Sequence, residues 1–197
     1  MATPSSGKLT IKGDYYAFGL GSFSQEKKYN TYRCGCVVKI YNWGTVELIP
    51  NNAFGGVMFI YTGSDFPKDI VTPPTIKSIG SWAFSARGGL TTINLQGVLD
   101  IDMYAFINCS SLTTASFPNV TSIGSYAFYN CRKLDMTNIF CEGLTVIEDY
   151  AFSIVYTQYD GFTDVAMHNK SIILPSTITK IGDFAFANQI TDSEGYS

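Results

Sequence analysis

Few side chains in this sequence could do chemistry, and their spacing does not bring them together. His168 is the single histidine, so a nucleophilic triad or a multi-histidine metal site would depend on it alone. No nucleophile motif flanks it, and it reads as a histidine of a surface loop. Cys34 and Cys36 form one soft-ligand pair without a second pair or a nearby histidine, too few donors for a structural zinc. Asp100, Asp102, Glu148, Asp149 and Asp183 are scattered, without the paired spacing that two-carboxylate hydrolysis needs, and are expected to be solvated. A phosphate-binding loop, a dinucleotide turn and an H-E-x-x-H pair are all missing from the sequence. The expectation is of a protein that is not an enzyme, with no catalytic residues, no metal and no cofactor.

Composition narrows the class further. A chain of 197 residues with 46% hydrophobic and 15% aromatic content can bury a substantial core. With 13 basic and 16 acidic residues, the field is too weak to recruit a phosphate backbone, so nucleic acid is not an expected partner. No run of about 18 apolar residues reads as a bilayer span, so no membrane insertion is expected. Residues 1–7 lack the basic start and apolar centre of a secretory signal. Either a native signal has been removed or the protein is used without secretion. Five cysteines, an odd number in no disulfide framework, favour reduced thiols.

What positions these residues is a repeat. The pattern opens with Ile, and ends in Ala and Phe at positions +4 and +5, at residues 49–54, 79–84, 101–106, 123–128, 147–152 and 181–186. Three residues before each opening Ile stands an apolar residue: Val46, Ile76, Val98, Val120, Leu144 or Ile178. Position +3 is aromatic at Trp82, Tyr104, Tyr126, Tyr150 and Phe184, with Asn52 the exception. A column that accepts only Ala implies close approach to a neighbouring backbone, and a column of Phe can stack into a spine. Asn108, Asn130 and Asn188 recur at +7 as turn residues whose side chains bond nearby backbone groups. Cys109 and Cys131 share column +8 and read as packed free thiols. Cys141 has no assigned role.

Beyond each hexapeptide, Leu90, Leu112 and Leu134 stand at +11, followed by Ile93, Ala115 and Thr137 at +14 and Leu95, Phe117 and Ile139 at +16. Alternation with polar residues predicts short strands with one face inward, and residues 171–175 are the matching strand before the last hexapeptide. Thr92, Asn94, Thr114, Ser116 and Asn138 are then outward along a parallel ribbon with strands roughly 4.8 Å apart. The copies are spaced 30, 22, 22, 24 and 34 residues apart, so the ends carry insertions. The first holds a strand-like stretch at 56–61 and a turn-like one at 63–67. The second, 153–164, brings Tyr156, Tyr159 and Phe162, which either fold back onto the core or take part in recognition.

The run Leu-x-x-Ile-x-Leu-Pro, a short gap, then Ile-Gly-x-x-Ala-Phe-x-x-Cys, fullest at residues 112–131 and again at 171–186, resembles the BspA-like leucine-rich repeat family. The resemblance covers about residues 46–190. It implies a leucine-rich repeat solenoid, β-rich, with short parallel strands stacked into a curved sheet of six repeats. Three parts are expected: a β-rich N-terminal cap or small module at 1–45, the solenoid at 46–190 and a tail at 191–197. The family implies a non-catalytic adhesion or binding module, at the cell surface or extracellular, of a host-associated microbe. Its partner would be a protein or a glycan, met by Thr92, Asn94, Thr114, Ser116, Asn138, Tyr156, Tyr159 and Phe162. The alternative is a structural component of a larger assembly, a cell envelope or virion, docked through residues 1–45.

Overall fold

An inward Ile preceded by an outward residue is the shortest pattern that can act as a strand, and each hexapeptide begins with one. The computed structural model describes residues 10–12, 39–42, 46–55, 68–157 and 172–191. Within them, six two-residue strands build the longest sheet: β3 (Leu48–Ile49), β5 (Ser78–Ile79), β7 (Asp100–Ile101), β9 (Ser122–Ile123), β10 (Val146–Ile147) and β12 (Lys180–Ile181). All pair in parallel, each Ile beside the next, in the order β12-β10-β9-β7-β5-β3. The solenoid therefore has six coils, as the repeat count predicts.

A second parallel sheet, β4-β6-β8, contains β4 (Asp69–Thr72), β6 (Thr92–Leu95) and β8 (Thr114–Ser116). A third pairs β11 (Ile154–Thr157) in parallel with β13 (Asn188–Thr191). Near the start, β1 (Thr10–Lys12) lies antiparallel to β2 (Lys39–Asn42). No helix occurs among the described residues.

The hexapeptide turn is two interlocked β-turns. In the third coil, Ala105 N–H donates to Asp102 O and Cys109 N–H to Phe106 O. The third residue of each turn, Tyr104 and Asn108, has φ of 59° and 60°. Positive φ at this turn position ordinarily selects Gly or Asn, which explains Asn52 in the aromatic column and Asn108 and Asn130 at +7.

The direction of hydrogen bonding between coils changes at these turns. Before the turn, Gly124 N–H donates back to Ile101 O at 2.7 Å. After it, Tyr104, Phe106 and Asn108 N–H donate forward to Ser125, Ala127 and Tyr129 O at 3.0, 2.7 and 2.8 Å. Each coil is thus tied to the next along both flanks of the turn.

The Phe column is the spine that the sequence predicts. Phe54, Phe84, Phe106, Phe128, Phe152 and Phe186 stack with successive ring centroids 5.2, 5.1, 5.0, 5.2 and 5.5 Å apart. The Ala column is buried from Ala83 to Ala185, with only Ala53 of the first coil half-buried. Cys109 and Cys131 are free and buried, their thiols donating to Phe84 and Phe106 O at 3.2 and 3.1 Å. Burial pushes the Cys131 thiol well above its ordinary range, reinforced by its contact with Cys109. Cys141 donates to Val120 O at 3.2 Å.

Position +1 alternates along the coils: Gly80, Asp102, Gly124, Glu148, Gly182. A Cβ on Gly124 would lie 2.7 Å from Met103 N and 2.8 Å from Asp102 C, and one on Gly182 would lie 2.4 Å from Asp149 N. A coil with a side chain here is followed by a coil without one.

Three expectations are corrected. The outward strand row stops at Ser116, because Asp135 Oδ1 captures Thr137 N–H at 2.9 Å and turns the chain. Met136 is buried where Thr137 was expected, and Asn138 sits exposed in that turn rather than on a sheet. Residues 172–175 form no strand, since the preceding coil offers no ladder there and Pro175 has no N–H to give. The Asn column bonds side chain to side chain: Asn130 Nδ2 donates to Asn108 Oδ1 at 3.0 Å and Arg132 Nε to Asn130 Oδ1 at 2.9 Å.

Replacing Phe128 with Ala removes a ring stacked on both sides, a loss of about 3–5 kcal/mol. Urea unfolding measures it; a loss under about 1 kcal/mol would show that the spine does not hold the coils together.

Candidate binding surface

Three surfaces of the solenoid carry side chains in register, and the first is the sheet that the alternating pattern points to. There Asp69, Thr92 and Thr114 lie side by side, as do Val71, Asn94 and Ser116. Their neighbours Ile70, Thr72, Ile93, Leu95 and Ala115 are buried. The structure thus brings four expected residues, Thr92, Asn94, Thr114 and Ser116, onto one outward face. Thr114 and Ser116 are exposed; Thr92 and Asn94 are half-buried, and Asn94 Oδ1 is sheltered without a donor. Asn138 is elsewhere. Tyr156 belongs to β11, a strand where a loop was expected. Tyr159, Phe162, His168, Cys34 and Cys36, with the stretches 56–61 and 63–67, lie outside the described residues.

Threonines at two places in the coil lock it to the coil beneath: Thr91 and Thr113 lead into the strands of this face, and Thr121, Thr145 and Thr179 into those of the six-stranded sheet. Thr91, Thr113, Thr121, Thr145 and Thr179 each donate Oγ1 to a carbonyl of the preceding coil, at 2.9 to 3.1 Å. Such bonds fix the outer residues in place, so any partner meets a surface that loses little entropy on binding.

The second surface is a shallow groove of about 490 Å³ across the six-stranded sheet, with Ser78, Asp100, Asp102, Ser122 and Glu148 among its walls. The acids are less free than a solvated reading implies. Asp100 Oδ1 accepts from Ser122 Oγ at 2.8 Å, and Asp102 Oδ2 accepts from Ser81 Oγ at 2.8 Å. Asp149 Oδ1 accepts from Asp183 N–H at 2.9 Å. Glu148 pairs with Lys180 at 2.6 Å, and this hydrogen bond, with the charges of Glu148 and Asp149, raises the lysine's pKa against the opposing effect of desolvation. No group of metal-ligating residues occurs among the described residues.

The third surface is the aromatic column at position +3. Trp82, Tyr104, Tyr126, Tyr150 and Phe184 form an outer stack, with ring centroids 4.3, 5.1, 4.7 and 5.1 Å apart. All five have positive φ, between 55° and 61°. A left-handed conformation costs a non-Gly residue about 1–2 kcal/mol, and each stacked pair returns about 0.5–1.5 kcal/mol. Stacking is what makes an aromatic residue tolerable at this turn position. Tyr104, Tyr126 and Tyr150 are stacked on both faces, so the middle of the column shows solvent its edges and tyrosine hydroxyls, while Trp82 and Phe184 at its ends are each stacked on one ring of the column and exposed.

Partial burial, then the nearby Tyr150, Tyr104 and Tyr129 hydroxyls and Asp149, push the Tyr126 pKa up; burial and Tyr150 push Tyr129 up. Raised folded pKa values mean that the associated stability is fully present below the unfolded value of about 10 and is lost as pH rises towards the folded values. In an absorbance titration Tyr126→Phe should remove a late-ionising tyrosine and lessen this alkaline loss. Removal of an early-ionising one would contradict the clustering.

A family profile described as BspA type Leucine rich repeat region matches residues 27–158 and 160–193, in six copies. Among solved structures, a leucine-rich cell surface protein from Faecalibacterium prausnitzii is similar at 20% identity and a TM-score of 0.37. The alignment covers 78% of this chain and 44% of that one, so this chain spans less than half of that protein's length. Among curated proteins none matches the chain.

Proposed function

Because the chain belongs to the BspA type leucine-rich repeat family, we propose that it is a non-catalytic binding or adhesion module that meets a protein or glycan at the cell surface or outside the cell. The observation that carries this reading is the register of Thr92 with Thr114 and of Asn94 with Ser116 on the β4-β6-β8 sheet. Small polar groups repeated at one-coil intervals on a rigid face suit a partner with its own regular spacing of hydrogen-bonding groups. The groove across the six-stranded sheet widens the surface available to the same partner.

Edges rather than ring faces line the middle of the outer aromatic column, at Tyr104, Tyr126 and Tyr150, so that stretch is poorly suited to stacking against sugar rings. If the partner is a glycan, the polar sheet face and the groove receive it. The insertion that holds Tyr156, Tyr159 and Phe162 adds a flanking contact in this reading. The alternative of an envelope or virion component rests on residues 1–45, where the β1–β2 pair is the described part and favours neither reading.

The double substitution Thr114→Lys, Ser116→Lys tests it. Both side chains point outward, so thermal unfolding should move by no more than about 0.5 kcal/mol in stability. Binding to immobilised glycans and extracellular glycoproteins, screened with the unaltered chain, should fall by about tenfold or more, equivalent to about 1.4 kcal/mol. Unchanged binding with an intact fold would move the contact off this sheet.

A further inference from the structure

We propose that the first ring of the outer aromatic column is a binding site for a single neutral sugar, which packs on the indole of Trp82 and hydrogen-bonds to the amides of Asn51 and Asn52. The column fills position +3 in five coils, but in the first coil that position belongs to Asn52. Asn52 shares the left-handed backbone of the aromatics that follow it, with φ of 59° against 61° at Trp82, and its N–H donates to Ser81 O at 2.9 Å. Its side chain therefore leaves the backbone in the direction the rings take. It ends after one amide group, where a ring would run on. The indole face turned towards the first coil is thus covered only near its root. Trp82 stacks on Tyr104 alone among the rings of the column, at 4.3 Å between centroids, and is 37% exposed, whereas Tyr104, Tyr126 and Tyr150 are half-buried.

The chemistry around this face suits a sugar. A pyranose presents a patch of C–H bonds, slightly positive, that matches the negative face of an aromatic ring, and a rim of hydroxyls that need polar partners. Both kinds of partner stand together here. Asn51 is exposed, and its Oδ1 accepts from Ser81 N–H at 2.9 Å, which fixes the amide beside the indole and leaves Nδ2 to donate. Asn52 is exposed as well, and neither its amide nor Trp82 Nε1–H has a partner among the described residues. An aromatic face and two amides converge on one spot.

Charge and shape narrow the class of sugar. Ser81, the chain neighbour of Trp82, donates Oγ to Asp102 Oδ2 at 2.8 Å. A carboxylate so close disfavours an acidic sugar. Among neutral hexoses, one with an axial 4-hydroxyl gathers the C–H bonds of C3, C4 and C5 on one side of the ring. A galactose-type sugar therefore lays the most continuous apolar face on an indole that is open on one side. This site lies apart from the β4-β6-β8 face and does not depend on what binds there.

The test is an NMR titration of the full chain with methyl β-galactopyranoside, read at the indole N–H resonances. The chain has two tryptophans, and Trp82→Asn identifies the relevant resonance by deleting it; Asn52 shows that this turn position takes asparagine. The Trp82 resonance should shift and saturate in the millimolar range. Methyl β-glucopyranoside, whose 4-hydroxyl is equatorial, should bind about fivefold more weakly or worse, and Asn52→Gly, which keeps the left-handed backbone without the amide, should weaken the galactoside by about fivefold, the loss of one neutral hydrogen bond. Asn52→Tyr supplies the missing ring, so it should raise the thermal midpoint and abolish the shift at Trp82. No shift in the unaltered chain, equal affinity for the two glycosides, unchanged affinity in Asn52→Gly, or a shift that persists in Asn52→Tyr would each overturn the proposal. The chain carrying Thr114→Lys and Ser116→Lys should respond as the unaltered one does, so a failure at Trp82 and a failure of the sheet face are distinguishable.

Discussion

The structure depends on the hydrogen bonds that cross from one hexapeptide turn to the next, from Phe N–H to the Ala carbonyl of the following coil. These bonds, 2.7 to 2.8 Å long from Phe54 through Phe152, form only because the residue two places earlier has left-handed backbone geometry. Once that bond sets the coil spacing, the other columns follow. At about 5 Å the Phe rings stack, the outer aromatics stack, the Ala methyls fit and the Asn and Thr side chains reach their counterparts one coil away. The apolar core and the polar ladders thus share a single spacing, and neither flank can slip without breaking both.

That shared spacing explains how a two-residue strand can anchor a sheet. Two residues make too few backbone bonds to define a strand alone. Each opening Ile is also held from within by the buried −3 residue and from the turn side by the Phe column. The backbone ladder adds direction, and side-chain packing supplies the larger share of the free energy. Packing between adjacent coils alone makes stability close to a sum of nearest-neighbour contributions.

Much of this was legible in the sequence because repetition turns a single chain into its own alignment. The Ile, Ala and Phe columns, the buried thiols of Cys109 and Cys131, and the outward register of Thr92, Asn94, Thr114 and Ser116 could all be placed from spacing. The longest sheet was not visible, because two residues are too short to show alternation. Met136 replaced Thr137 in the core because the carboxylate of Asp135 turns the chain one residue early, a local competition that column counting does not register. The outer aromatic column was visible as a pattern, but its strained backbone was not, since nothing about Tyr or Trp announces a positive φ. The acids read as solvated are exposed in part, yet Asp100, Asp102 and Asp149 hold neighbouring hydroxyl or amide groups.

The alternation at position +1 has a bearing on how such a chain can change length. Coils come in two kinds, with and without a side chain at that point, so the unit of recombination is a pair. Loss of the coil holding Gly124 would set Asp102 against Glu148, joining a steric conflict to a repulsion between like charges. Loss of the coil holding Asp102 would set Gly80 beside Gly124, with no Cβ on either to meet the neighbouring backbone. Single-coil deletions are therefore unequal in their damage, and duplication in pairs is the route that keeps every junction intact.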